Sequence, residues 1–119
     1  MPLTIYHNPR CSKSRKTLEI LENAGASPNI VEYLKTPPSA GRIVEMAALL
    51  GVPVLQLLRR NEDVFKEAVD LPELESDAAL AAWIASHPKA LQRPIVVDDE
   101  NRQAVIGRPP ENVDALLSR

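Results

Sequence analysis

Apolar residues along the chain fall into two patterns, short runs and helical spacing. Leu3-Thr4-Ile5-Tyr6 is a short apolar-rich run broken by His7-Asn8-Pro9, after which Leu18, Leu21 and Ala24 recur at helical intervals as far as Gly25. This predicts a strand, a loop and a helix with Gly25 as its C-cap. Ile30, Val31 and Tyr33 are β-branched or aromatic and predict a second strand over Asn29–Tyr33, ended by Thr36-Pro37-Pro38. A helix joining two short strands implies a βαβ unit with a parallel pair.

From Ser39 the spacing becomes helical. Ile43, Ala47 and Leu50 share one face, Gly51 closes the helix, and Val54, Leu55, Leu57 and Leu58 suggest a short following turn. Acidic residues and Pro72 make residues 61–75 a loop or broken helix. Another helix fits Ser76 to His87, with Ser76 as N-cap, Leu80, Trp83 and Ile84 facing inward, and Pro88 beyond its end. Pro94–Val97 and Ala104–Ile106 read as an antiparallel hairpin whose polar connection, Asp98 to Gln103, is too long for a two-residue turn. Pro109 and Pro110 then open a terminal helix carrying Val113, Leu116 and Leu117. The order β-α-β, helices, β-β-α predicts an α/β protein: a thioredoxin-like fold with a mixed four-stranded sheet and a helical insertion at about residues 39–90, all in one domain over residues 1–119.

A chain of 119 residues that is 45% hydrophobic can build a core without disulfide or metal staples. Its 14 basic and 16 acidic residues give no basic face for a phosphate backbone, and the 3% aromatic content argues against a base-stacking platform. No nucleic-acid partner is expected. No apolar run approaches the roughly 20 residues of a membrane span, and no charged-then-apolar secretory pattern opens the chain, so a cytoplasmic protein without a membrane partner is expected. The single cysteine matters most: it cannot form an internal disulfide, and any redox role must recruit a sulfur from another molecule.

That cysteine sits in His7-Asn8-Pro9-Arg10-Cys11-Ser12-Lys13-Ser14-Arg15, between the first strand and the first helix. At a helix N-terminus, unpaired amides and the positive end of the macrodipole favour the thiolate. Arg10, Lys13 and Arg15 add positive charge, and cysteines so placed titrate at about 3.5 to 7.5 rather than about 8.5. An ionised, exposed Cys11 is therefore predicted. The same amides form an anion pocket, with Arg15 beside it, and the Ser12 and Ser14 hydroxyls can donate to the sulfur or the anion. His87 reads as a helix C-terminal histidine interacting with the last carbonyls, and Trp83 as core.

The Cys11 loop resembles the active-site loop of the glutaredoxin-dependent arsenate reductase family. Tyr33-Leu34-Lys35-Thr36-Pro37-Pro38, Leu57-Leu58-Arg59-Arg60-Asn61, Arg93-Pro94-Ile95-Val96-Val97 and Gly107-Arg108-Pro109-Pro110 resemble further family segments in the family's order. The resemblance implies that Cys11 attacks arsenate to give a thiolate-bound arsenic adduct, that Arg59, Arg93 and Arg108 hold the oxyanion, and that His7 helps keep the cysteine ionised, as a cation or through bonds to the loop. Guanidiniums suit that task, because each offers a two-toothed hydrogen bond to tetrahedral oxygens and stays charged. The proline after Arg93 is expected to follow a cis bond, as the strand-opening proline of thioredoxin-like folds usually does.

With Ser14 where a second cysteine could stand, the adduct must be resolved by outside thiols. The resemblance implies glutathione as co-substrate and glutaredoxin as partner, with no bound cofactor and no metal. Phosphatase-like arsenate reductases, which use a Cys-x5-Arg loop, are excluded because Thr17 stands six residues after Cys11. Two rival readings are a regulator related to the Spx proteins, which bind RNA polymerase and in many cases carry Cys-x-x-Cys at this loop, and a thiol-dependent reductase of another substrate.

Overall fold

The structure, a computed structural model, describes residues 3–117. Residues Pro37–Gln92 form one compact unit and the segments on either side of them form another.

The flanking segments build the sheet. Strands β1 (Leu3–His7), β2 (Asn29–Glu32), β3 (Ile95–Asp98) and β4 (Gln103–Ile106) lie in the order β2-β1-β3-β4. β1 runs parallel to β2 and antiparallel to β3, and β3 is antiparallel to β4, which gives the mixed sheet of a thioredoxin-like fold. The two central strands are covered on both faces, so β3 is buried at every position, whereas the edge strands β2 and β4 keep more of their surface in water. Helix α1 (Ser12–Asn23) turns Leu21 inward against Leu3, Ile5, Val96, Val113 and Leu116, an aliphatic core. The C-terminal segment, expected as one helix, starts as a 3-10 turn at Pro110–Val113 before α5 (Asp114–Leu117), because Pro109 and Pro110 lack amide hydrogens.

Element ends shift by a residue or so from the sequence pattern, each for a local reason. The C-cap of α1 is Ala24; Gly25 follows it at φ 84°, the left-handed position where glycine has no Cβ penalty. β2 ends at Glu32 rather than Tyr33, because the Glu32 carbonyl is taken by the amides of Lys35 and Thr36 at 2.9 Å each, and Tyr33 is buried beyond the ladder. β3 starts at Ile95, since Pro94 has no amide hydrogen to donate. At the other end of the hairpin Asp98 and Gln103 still pair, leaving a four-residue connection, Asp99 to Arg102. The buried Asp98 carboxylate accepts from the Asn101 amide at 3.1 Å and from Asn101 Nδ2 at 2.9 Å. Arg102 adopts a left-handed φ of 54°.

The second unit is helical. Helix α2 (Ala40–Leu50) is capped by the Ser39 hydroxyl, which accepts from the Arg42 amide, and closed by Gly51 at φ 72°. It packs on α4 (Asp77–Ser86) through Ile43, Met46 and Ala47, with Met46 rather than Leu50 buried at the far end of that face. Ser76 caps α4 through the Ala79 amide, as its position before the apolar spacing predicts. Between the two helices lie a 3-10 turn, Val54–Leu57, and a single helical turn, α3 (Asp63–Lys66), which falls inside the stretch expected to be a loop or broken helix. Trp83 is buried, donates from Nε1 to Asp70 Oδ1 at 3.2 Å and stacks on the His87 ring at 4.2 Å, while His87 Nδ1 meets the Trp83 carbonyl at 2.8 Å.

Candidate functional site: a thiol at the first helix N-terminus

Cys11 is the N-cap of α1, in the extended conformation expected of a capping residue. The turn before it is held by side chain and main chain together. The Cys11 amide donates to the Asn8 carbonyl at 3.0 Å, the Arg10 amide to Asn8 Oδ1 at 3.0 Å, and Arg15 Nη1 to the Pro9 carbonyl at 2.9 Å. Arg15, expected at the anion, is an exposed residue that braces the loop from outside. The Ser14 hydroxyl, expected to donate to the sulfur or the anion, faces the other way: Oγ lies 2.6 Å from His7 Nδ1 and accepts the Asn8 amide at 3.0 Å. Ser14 is fully buried and His7 nearly so.

Two arginines reach the thiol from the β3–β4 hairpin. Antiparallel pairing of Ile95 with Ile106 puts the entry to β3 and the exit from β4 at one end of the sheet, so Arg93 and Arg108 emerge side by side. Arg108 Nη2 stands 3.6 Å from Cys11 Sγ, and its Nε donates to the Arg93 carbonyl at 2.6 Å. The Arg93 side chain hydrogen-bonds to the sulfur. Both arginines precede cis prolines, Pro94 as the sequence predicts and Pro109 in addition.

Cys11 is half-buried rather than exposed. That burial pushes its pKa up, but the backbone amides of Ser14 and Lys13, the Arg93 hydrogen bond and the Arg108 charge outweigh it, and the thiol titrates below its ordinary value. The His7 pKa is lowered too, which for a base favours the neutral form. Burial, aided by the charge of Arg15, outweighs the attraction of Glu32 and Glu22 and holds the imidazole below its ordinary 6.5. The His7 ring is engaged with the Ser14 hydroxyl, and its lowered pKa favours the neutral imidazole. A cavity of about 340 Å³ opens beside this loop, lined by His7, Asn8, Pro9, Arg10, Glu32, Leu34 and Lys35.

Cys11, His7, Ser14, Arg15, Arg93 and Arg108 thus belong to the sheet-bearing unit, and Arg59 to the helical one, where its amide donates to the Ala90 carbonyl at 2.7 Å. Three supporting residues have no chemistry of their own to draw notice in the sequence. Thr17 Oγ1 donates to the Lys13 carbonyl at 2.8 Å and packs on Gly107, where a Cβ would lie 2.5 Å from that oxygen and 2.8 Å from Pro94 Cγ. Asn112 bonds the carbonyls on either side of Gly107. The Gly-Arg-Pro-Pro segment was the one available signal, and it points to Arg108 rather than to what supports it.

Fold and site together define a thioredoxin-like protein with one activated thiol and two arginines beside it. The ArsC family profile matches residues 6–116. An arsenate reductase of Neisseria meningitidis serogroup A is 44% identical over 117 residues, which are 97% of this chain and 97% of the relative. The protein YfgD of Escherichia coli K12, whose name carries no activity, is 44% identical over 92% of this chain and 91% of its own. Among solved structures, an arsenate reductase from Vibrio cholerae superposes with a TM-score of 0.83 at 45% identity, covering 95% of each chain. The chain belongs to the ArsC family.

Proposed function

We propose that the protein reduces arsenate to arsenite, with Cys11 as the nucleophile and glutathione as the second thiol. The observation that carries this reading is Arg108 Nη2 at 3.6 Å from Cys11 Sγ: a guanidinium beside a thiolate both keeps the sulfur ionised and offers donors to an oxyanion approaching it. Relatives named arsenate reductase, aligned along nearly the whole chain, support the choice of substrate.

In the first step the Cys11 thiolate forms an S–As bond and one arsenate oxygen leaves as water, taking its protons from solvent. Glutathione then attacks. The two thiols become a mixed disulfide and lose two electrons, and arsenic falls from the +5 to the +3 state and leaves as arsenite. Overall, two thiols and arsenate give one disulfide, arsenite and water. Arg93 and Arg108 neutralise the oxyanion while the like-charged thiolate approaches, and the amides of Ser14 and Lys13 hold the sulfur when it is an anion. The remaining disulfide, between Cys11 and glutathione, is reopened by glutaredoxin through thiol–disulfide exchange, since no second cysteine exists in the chain to do so.

Arsenate-dependent NADPH consumption, coupled through glutathione, glutaredoxin and glutathione reductase, tests the reading. Turnover in the wild type and none in Cys11→Ser is the expected result. A wild type without turnover beside an active control enzyme, or a Cys11→Ser variant that still turns over, overturns it.

A further inference from the structure

The segment that carries Arg108 is poor in backbone donors. Pro109 and Pro110 have no amide hydrogens, so the carbonyls around Gly107 cannot be satisfied by the residues that follow directly. One side of the segment is fixed by the Gly107 amide, which donates to the Pro94 carbonyl at 2.9 Å. The Gly107 carbonyl lies 3.5 Å from Thr17 Oγ1, and the carbonyls before and after it are both taken by one side chain, Asn112. Asn112 Nδ2 donates to the Ile106 carbonyl at 3.1 Å and to the Arg108 carbonyl at 3.2 Å, and the Asn112 amide donates to the Pro109 carbonyl at 3.0 Å.

We propose that Asn112 is a positioning residue for the thiol: its carboxamide clamps the backbone on both sides of Gly107 and so fixes the point from which the Arg108 guanidinium reaches Cys11. The chain of contacts is short. Asn112 holds the Arg108 carbonyl, the Arg93 carbonyl holds Arg108 Nε at 2.6 Å, and Nη2 is left facing Sγ at 3.6 Å. Two weak anchors on the main chain and one on the side chain turn a long, rotamer-rich arginine into a fixed charge. Asn112 itself is exposed and its side chain bonds the backbone of this segment, so its contribution passes through Arg108. The Arg108 charge is among the causes that lower the Cys11 pKa, so a change in where that guanidinium is held reaches the thiol.

The inference rests on reading Cys11 as the working thiolate, and its test needs neither arsenate nor glutathione, so it can fail or stand independently of the substrate. The rate of iodoacetamide alkylation of Cys11 is followed against pH in the full chain, since the thiolate is the species that reacts. Asn112→Leu, which keeps the bulk and loses the donor, is expected to raise the alkylation midpoint by about half a unit, comparable to Arg108→Ala. Asn112→Gln, which keeps the donor, is expected to return the midpoint toward the wild-type value. In the Arg108→Ala background Asn112→Leu is expected to add nothing, an outcome that a general loosening of the fold does not give. A wild-type midpoint in Asn112→Leu, or an equal further rise in the Arg108→Ala background, overturns the proposal. If the leucine variant does not fold, Asn112→Ser, whose hydroxyl is too short to span both carbonyls, serves for the same comparison.

Discussion

The Ser14 hydroxyl lies 2.6 Å from His7 Nδ1, and both groups are buried beneath the loop that carries Cys11. The same oxygen accepts the Asn8 amide, so one hydroxyl joins the end of β1, the loop and the first turn of α1. Ser14→Ala strands two buried polar groups and is expected to cost about 1–3 kcal/mol of folding stability, read as a lower urea midpoint. Little or no loss of stability would show that the loop is held by its other bonds instead.

Burial of His7 makes its charged form costly, which sets the direction of a pH effect. Its pKa in the folded chain lies below the ordinary 6.5, so between those two values the unfolded chain binds more protons. Stability is therefore full above 6.5 and declines as pH falls through the window down to the folded value. Urea unfolding from pH 8 to pH 5 is expected to show this decline, and His7→Asn to reduce its slope.

Cys11 behaves as a depressed acid. Its contribution to stability is complete above the pKa of the unfolded thiol and is lost as pH falls through the lower folded value. Both neighbouring guanidiniums hold that value down, Arg93 through a hydrogen bond and Arg108 through its charge, with Arg108 Nη2 also donating to Sγ at 3.6 Å. Arg93→Ala is expected to raise the alkylation midpoint of Cys11 by more than Arg108→Ala does; the reverse order would make Arg108 the controlling residue.

Gly107 is held by close approach. A methyl group there would meet Thr17 Oγ1 at 2.5 Å and Pro94 Cγ at 2.8 Å, and neither neighbour can swing freely away. Gly107→Ala is expected to cost about 1–3 kcal/mol by forcing the β4 exit off α1, with the thermal midpoint as the readout. Because Arg108 is the next residue, the alkylation midpoint of Cys11 is expected to rise in the same variant.

The elements were legible wherever periodicity was strong. Leu3 to Tyr6, the Leu18–Leu21 spacing and the Ser76 cap each fix a strand or a helix from neighbours in sequence, and the stretch from residue 61 to 75 is ambiguous because its only helix is one turn long. The loop around Cys11 was legible as a thiolate site because its effect comes from a helix N-terminus that forms locally. The roles of its neighbours were less so. Ser14 carries a hydroxyl that could face either way, and only the burial of His7 decides the matter. Thr17 and Gly107 meet across 90 positions, and Asn112 looks like any polar residue after a proline pair until the hairpin brings Ile106 and Arg108 within reach of its carboxamide.

The hairpin that delivers Arg93 and Arg108 has its connecting loop at the opposite end, four rungs of the ladder away. The spacing between the two charges is thus set by the rungs and not by the loop, so a change of side chain at the exposed Glu100 is expected to leave the thiol as it was, whereas loss of the Asn101 side chain takes a hydrogen bond from the buried Asp98 carboxylate at the far end of the same ladder.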